Sequence, residues 1–536
     1  MGGADLVLGI DSSTQSTSAV IVDRNSFALV AQARVRYRDD PRLGSFGLTE
    51  AAPIRPPREP GEADQPATLF LAALDALLED LPREALARLA AVNVSAQQHG
   101  QVWLAADGAQ AVRALRRPGS GATGTLAGHL GCGFADDRAP IWMSADTEFE
   151  AAELRSAAGG GEAMTALSGS DSPLRFSGAV MRRRARRFPE RYERTTHLHL
   201  LSSFLTGVLR GDPDAPIDWG NGSGTSLMDW RNRCWAPQLL FAASLGLAGG
   251  LAGLEARLPP LVHPLHVAGG IAAYFTERYG IPGDCAVVAG SGDNPQSKVL
   301  AEDSLLSLGT SFVLMSEGGT PHRSANAMYD GLGRPFLFGC RTNGALVWES
   351  LRRAHGLAAD DFAASDAALE TVPPGAVLRL LQPERESFPA SGIIDLGGRP
   401  DFAEDYAGAV DSSLGLLVLA SEPFAARGAE LAVTGGAAAS RAVLKRIATL
   451  WGTRVQPIAD AGAATGAAVA AACALVPEGE REELARRGRR GAAQPGSPVE
   501  PDAALSEACR KPGGYLERLA ALFAEATGAA PASFTD

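Results

Sequence analysis

Apolar and polar positions follow two different rhythms along this chain. Leu6-Val7-Leu8-Gly9-Ile10 and Ala19-Val20-Ile21-Val22 are short runs rich in branched side chains, separated by the polar stretch Asp11-Ser12-Ser13-Thr14-Gln15-Ser16. That pattern predicts a strand, a tight turn and a second strand, a β-hairpin. Phe70, Leu74, Leu77, Leu78 and Leu81 then recur at the three- and four-residue spacing of a helix, and Ala91-Val92-Asn93-Val94-Ser95 returns to a strand. Helix followed by strand predicts α/β architecture.

The second half repeats this order. Cys285 to Ala289 reads as a strand ending in the polar turn Gly290-Ser291-Gly292-Asp293-Asn294. Ser304 to Leu308, the small polar turn Gly309-Thr310-Ser311 and Phe312 to Met315 reproduce the arrangement of residues 6–22. An internal duplication is expected, with an N-terminal domain over 1–263 and a C-terminal domain over 264–536. Farther on, Leu431 to Thr434 forms a strand that ends in Gly435-Gly436, and Val443, Leu444, Ile447, Leu450 and Trp451 follow at helical spacing. Residues 477–501, rich in Arg, Glu, Gly and Pro, are expected to form an exposed connection before a last helix.

Composition narrows the function. At 536 residues and 46% hydrophobic content, the chain exceeds what one small core needs. Its net charge of −12 repels nucleic acid and anionic membrane surfaces, so neither is an expected partner. The basic run Arg182-Arg183-Arg184-Ala185-Arg186-Arg187 is expected to be a solvated helix face. The stretch Leu239 to Leu254 is too short for a membrane span. The start of the chain lacks the charged and apolar segments of an export signal. Six cysteines are scattered without a C-x-x-C pair, the pattern of a reduced, cytoplasmic chain. The close pairs His197/His199 and His263/His266 stand apart from any Cys or carboxylate cluster and are expected to be structural or surface residues.

Several segments have the chemistry of phosphoryl transfer, which needs N–H donors around phosphates, a cation and a group on the acceptor hydroxyl. The turns Ser12-Ser13-Thr14-Gln15 and Gly309-Thr310-Ser311 are built to bring backbone amides and hydroxyls close to an anion. Taken singly, each is also an ordinary hairpin turn. Neither a Walker A motif nor the H-R-D and D-F-G signatures of protein kinases occurs. The Gly435-Gly436 turn suits a flat adenosine lying against backbone, or close packing of a helix on a strand. Asp218 lies in the Gly/Asn/Ser-rich loop 215–230, where its carboxylate can take a hydroxyl proton or simply close an Asx turn. Gln97-Gln98-His99-Gly100-Gln101 follows a strand's carboxyl end, where α/β sheets commonly bind ligands. Magnesium is the expected cation, arriving with ATP and held through water by carboxylates such as Asp11 or Asp293.

In their order along the chain, the segments GIDSSTQSTSAVIVD (9–23), SAQQHGQVW (95–103), PIWMSADT (140–147), PIDWGNGSGTSLMDW (216–230), VVAGSGDNPQS (287–297), SLLSLGTSFVL (304–314) and AVTGGAAASRAVLKRI (432–447) resemble those of the FGGY carbohydrate kinases. Segments 97–100, 140–143 and 217–224 are most similar to xylulokinases, notably the animal type. The resemblance implies two duplicated actin- and hexokinase-like (ribonuclease H-like) domains with a cleft between them. It implies ATP-dependent phosphorylation of a ketopentose, most similar to that of D-xylulose, and commonly homodimers. It further implies Asp218 as catalytic base and Gln98, His99, Asp293 and Asn294 as sugar-binding residues. For ATP it implies Asp11, Ser13, Thr14, Gln15, Gly309 and Thr310 at the phosphates, and Gly435, Gly436 and Ser440 near the adenosine. Two positions depart from the animal-type pattern: Asp171 stands where that pattern has an arginine, and Ser440 where it has an asparagine. A kinase for ribulose, L-xylulose, a sugar acid or a polyol, and an actin-like nucleotide-binding scaffold without transfer activity, are the alternatives.

Overall fold

A computed structural model of the chain describes residues 4–49, 53–425, 430–458, 462–492 and 498–529. Two compact units emerge. One comprises the described residues of Met1–Leu300, Met328–Pro335 and Ala461–Ala492, and the other those of Ala301–Ala327, Phe336–Asp460 and Ala493–Asp536.

The first unit is built on strands β1 (Leu6–Ser12), β2 (Ser16–Asp23), β3 (Leu29–Arg36), β4 (Leu89–Ala96), β5 (Val267–Gly270), β6 (Ala286–Val288) and β7 (Ser291–Gly292). Their order is β5-β6-β4-β1-β2-β3, with β7 also on β4. The hairpin expected at residues 6–22 is present: β1 to β3 form an antiparallel meander, and β4 runs parallel to β1. Every residue of β1 and β4 is buried, as befits central strands covered on both faces. The helix expected at 70–81 spans Ala67–Asp80 and buries Leu69, Phe70, Leu71, Leu74, Leu77 and Leu78.

A second helix, Gly462–Ala474, is almost entirely glycine and alanine, and the reason is distance. A Cβ on Gly9 of β1 would lie 1.9 Å from the Ala464 carbonyl oxygen, and one on Gly466 would lie 1.8 Å from that of Gln296. Only backbone fits there.

The second unit repeats the topology with β8 (Ser304–Leu308), β9 (Phe312–Glu317), β10 (Pro335–Arg341), β11 (Leu431–Thr434) and β12 (Val455–Pro457). Strands β8 to β10 pair antiparallel, β11 pairs parallel to β8, and β12 parallel to β11. The order β10-β9-β8-β11-β12 matches β3-β2-β1-β4-β6, so the duplication legible in the turns extends to the sheets.

Three expectations meet a different arrangement. Because β5 pairs with β6 and β6 runs parallel to β4, residues 267–288 are woven into the first unit's sheet, and the first passage of the chain between units falls at 300/301, not at 264. Residues Glu478–Ala492 form a helix of that unit with Leu484 and Ala485 buried, rather than an exposed connection; 493–497, within the same expectation, lie outside the described residues. The arginine run lies on helix Ser177–Arg187, where Arg182 and Arg184 are buried. Arg184 reaches Asp64 at 2.9 Å and Asp136 at 2.6 Å, and Arg182 reaches Glu153 at 2.8 Å. The charges close an internal ion network instead of facing water. Leu239 to Leu254 forms the short helices Pro237–Ser244 and Gly250–Glu255. Among the described residues no helix is long and apolar enough to cross a membrane.

Candidate active site

In the first unit, the carboxyl ends of the parallel strands collect the polar residues that the motifs single out. β1 ends at Asp11-Ser12, β4 leads into Gln97-Gln98-His99, and β7 leads into Asp293-Asn294. Asp11 is buried and accepts from Ser95 Oγ at 2.7 Å and from Ser13 Oγ. Burial pushes its carboxyl above the usual range. Thr14 donates to Gln97 Oε1 at 3.1 Å and accepts from Trp142 Nε1 at 2.9 Å, which fixes the turn against its neighbours. Gln15 is exposed on the turn, with Tyr37 N–H on its carbonyl.

Gln98, Asp293 and Asn294 form one hydrogen-bonded group. Asn294 Nδ2 donates to Gln98 Oε1 at 2.9 Å, and Asp293 Oδ1 accepts from the backbone N–H groups of Asn294 at 2.8 Å and Gln98 at 3.3 Å. Burial and the charge of Asp11 raise the Asp293 carboxyl to about 7.

His99 has a left-handed backbone, φ 68°, uncommon for a residue with a Cβ and often a mark of a functional position. Its ring stacks on Phe176 at 4.6 Å, and Nδ1 lies 3.0 Å from the Gly224 carbonyl oxygen. A carbonyl only accepts, so Nδ1 carries the hydrogen. Burial, then the positive charge of Arg175, lowers the ring's pKa to about 3. The imidazole is therefore neutral near pH 7 and keeps Nε2 as an acceptor.

Asp218 begins the short helix Trp219–Ser223 as its N-cap, which explains the Gly/Asn/Ser sequence after it: small residues let the chain turn over the carboxylate. Its Oδ2 accepts from Gly220 N at 2.8 Å and Ser291 Oγ at 2.6 Å, and its Oδ1 from Asn221 N at 3.2 Å. The residue is 1% exposed, and burial raises its pKa to about 6 in spite of these donors. A Cβ on Gly292 would meet Gln98 Cγ at 2.2 Å and Asn221 Oδ1 at 3.0 Å, so the Asp218 loop and the Gln98 group meet across a glycine. The adjoining Trp219 ring is braced by His263, Tyr329 and the Arg233 guanidinium, 4.7 Å away.

Asp171 takes no part in this group. It lies half exposed, paired with Arg155 at 2.6 Å. Its negative charge is thus matched locally.

The second unit brings together the remaining predicted residues. The turn at Gly309-Thr310-Ser311 follows β8, and Gly435-Gly436 follows β11, its parallel neighbour. Gly435 has φ 95°, and a Cβ there would lie 2.5 Å from the Leu308 carbonyl oxygen, so the two loops touch only because it is glycine. Ser440 caps the helix Arg441–Trp451 and donates to Asp366 at 2.5 Å.

Among the described residues no three His, Cys, Asp or Glu side chains group as a metal cluster. His197 pairs with Asp214, and His199 lies between Ser203 and the Pro213 carbonyl. Residues that the motifs did not single out for a role complete the site: Ser95, Trp142, Asn221 and Ser291. Each stood in a quoted segment, but their partners are 19 to 128 residues away and lie together only in the fold.

A solved xyloylose kinase from Brucella ovis matches with a TM-score of 0.72 at 21% identity, over 97% of this chain and 99% of that one. A gluconate kinase from Lactobacillus acidophilus matches with a TM-score of 0.75 at 18% identity, over 99% of each chain. The duplicated α/β units are thus those of the sugar-kinase and actin-like fold. No family model matches the chain. In sequence it is 33% identical to xylulose kinase 2 of Arabidopsis thaliana over 313 residues, 57% of this chain and 53% of that protein. The chain spans little more than half the length of the curated relatives it matches. In fold and in sequence, then, the chain is similar to the FGGY carbohydrate kinases, and to xylulose kinases among them.

Proposed function

We propose that the chain is an ATP-dependent carbohydrate kinase that phosphorylates a ketopentose, converting D-xylulose to D-xylulose 5-phosphate with Asp218 as general base. The observation that carries this reading is the Asp218 carboxylate: buried, held by three donors on a tight turn, and with a pKa near 6 that leaves it ionised yet basic at neutral pH. A nucleotide-binding scaffold has no use for such a group beside the Gln98, Asp293 and Asn294 cluster.

The terminal hydroxyl oxygen of the sugar forms a bond to the γ-phosphorus. The bond from that phosphorus to the β,γ-bridging oxygen breaks, its electron pair leaves on ADP, and the hydroxyl proton passes to Asp218. Gln98, His99 Nε2, Asp293 and Asn294 orient the sugar hydroxyls. In the first unit the phosphates are assigned to Asp11, Ser13, Thr14 and Gln15. In the second they are assigned to Gly309 and Thr310, with Gly435, Gly436 and Ser440 on the adenosine. Magnesium would be held through water by Asp11 and Asp293, whose hard oxygens and mutual repulsion suit a divalent cation, and it would neutralise phosphate charge. Asp171, paired with Arg155 outside the Gln98 group, leaves that group unaltered by its departure from the animal-type pattern.

The test is coupled ADP release with Mg-ATP against ketopentoses, aldoses, polyols and sugar acids, each beside a no-sugar control. Selective turnover of D-xylulose is expected. Preference for another member of the panel moves the substrate but keeps the kinase, and turnover without sugar dependence, or none, favours the scaffold. Light scattering on the same sample tests the homodimer that the resemblance implies.

A further inference from the structure

The sheet of the first unit carries one polar rung. Asp11 of β1 pairs with Ser95 of β4, and Ser95 pairs in register with Ser291 of β7. These two serines do not bond to each other. Ser95 donates to Asp11 at 2.7 Å, and Ser291 donates to Asp218 at 2.6 Å. Both hydroxyls are buried with nothing to gain from water, so each is committed to one carboxylate.

The chain is shaped to deliver Ser291. Gly290 has φ 78°, and a Cβ on it would lie 2.9 Å from Thr206 Oγ1 and 3.0 Å from the Val94 carbonyl oxygen. Its N–H is held by Asn93 Oδ1 at 3.1 Å. On the far side, a Cβ on Gly220 would lie 2.7 Å from Asp218 Oδ2, from Ser291 Oγ and from the Tyr329 carbonyl oxygen. Two glycines thus make room for one hydroxyl-to-carboxylate bond.

We propose that Ser291 is a positioning residue for the base: its hydroxyl anchors Oδ2 of Asp218 so that Oδ1, with its single longer backbone bond, faces the hydroxyl to be deprotonated. This rests on Asp218 being the base. Oδ2 already accepts two short bonds, from Gly220 N–H and Ser291, which leaves it little capacity for substrate. Ser291 also helps set the base's strength, because a donor to a carboxylate favours its charged form.

The test is the pH profile of kcat/KM, which reports the free enzyme's groups, for Ser291→Ala with D-xylulose and Mg-ATP. Loss of one charge-assisted bond is expected to move the acidic limb up by about one unit, from about 6 to about 7. That lowers kcat/KM about fivefold at pH 6 and hardly at all above pH 8. Ser291→Cys, of similar size and with a weaker donor, is expected to shift the limb less. In an Asp218→Asn background, Ser291→Ala is expected to change kcat by less than about twofold, since its partner charge is already gone. A limb that stays in place in Ser291→Ala, or a kcat/KM lowered equally at every pH, overturns the positioning role; the Cys variant and a thermal melt separate that result from misfolding. Near-normal turnover of Asp218→Asn alone would instead overturn the reading of Asp218.

Discussion

Asp218→Asn removes a charge and keeps a shape. Asparagine is as good an N-cap as aspartate: with its one oxygen in the place of Oδ2 it still accepts from Gly220 N–H and Ser291 Oγ, and it gives up only the longer bond from Asn221 N–H. The substitution therefore tests basicity rather than folding. General-base catalysis contributes about 10²–10⁴-fold, or about 3–5 kcal/mol of barrier, and kcat is expected to fall by that factor with little change in KM. A base must be ionised, so activity is present above its pKa and lost below it. With that pKa about 6 in the free protein, the ionised fraction is about 0.9 at pH 7 and about 0.1 at pH 5, and wild-type kcat/KM should drop about tenfold between them. Stability runs the other way. The folded pKa exceeds the ordinary value of 3.8, so the fold binds the proton more tightly than the unfolded chain does, and this group's contribution declines as pH rises from about 4 to about 6. The asparagine variant should accordingly melt no lower than wild type at pH 7. Coupled ADP release from pH 5 to 9 at constant ionic strength measures the first effect, and thermal melts the second. Turnover within about fivefold of wild type would refute the reasoning. So would a residual activity that keeps its limb near 6, which would give that limb to a different group, Asp293 foremost.

Two further substitutions probe the rest of the molecule. Gly435→Ala forces a Cβ onto the Leu308 carbonyl at a left-handed position, a strain of about 1–3 kcal/mol, so ADP binding measured by calorimetry should weaken about tenfold; unchanged affinity would separate this loop from the nucleotide. Arg184→Ala takes the shortest ion pairs from the buried Asp64 and Asp136, leaving Arg138 at 3.6 Å and Arg58 at 3.7 Å on the first and Arg191 at 2.7 Å on the second, and should destabilise the first unit by about 3 kcal/mol in denaturant titrations; an unchanged midpoint would mean that the network is energetically neutral.

The sequence by itself determined the local elements and the kind of chemistry. Apolar runs bounded by small polar turns placed the ends of β1, β2, β8 and β9 within three residues, because period and turn composition are local properties. The order of those turns carried the duplication, and the resemblance of the motifs to the FGGY kinases supplied Asp11, Gln98, His99, Asp218 and Asp293 as candidates. What a residue meets across the fold was decided by tertiary structure alone. Residues 267–288 join the first unit because parallel pairing reaches across nearly 200 residues, which no local period encodes. The arginines at 182 and 184 look like a solvated face until Glu153, Asp64 and Asp136 arrive from elsewhere. The helix Gly462–Ala474 is written in small residues because β1 lies within backbone distance, a reason visible only from the strand's side. Ser291 is one more small polar residue in a turn until the sheet sets it beside Asp218, where burial turns a 2.6 Å bond into a determinant of that carboxylate's pKa.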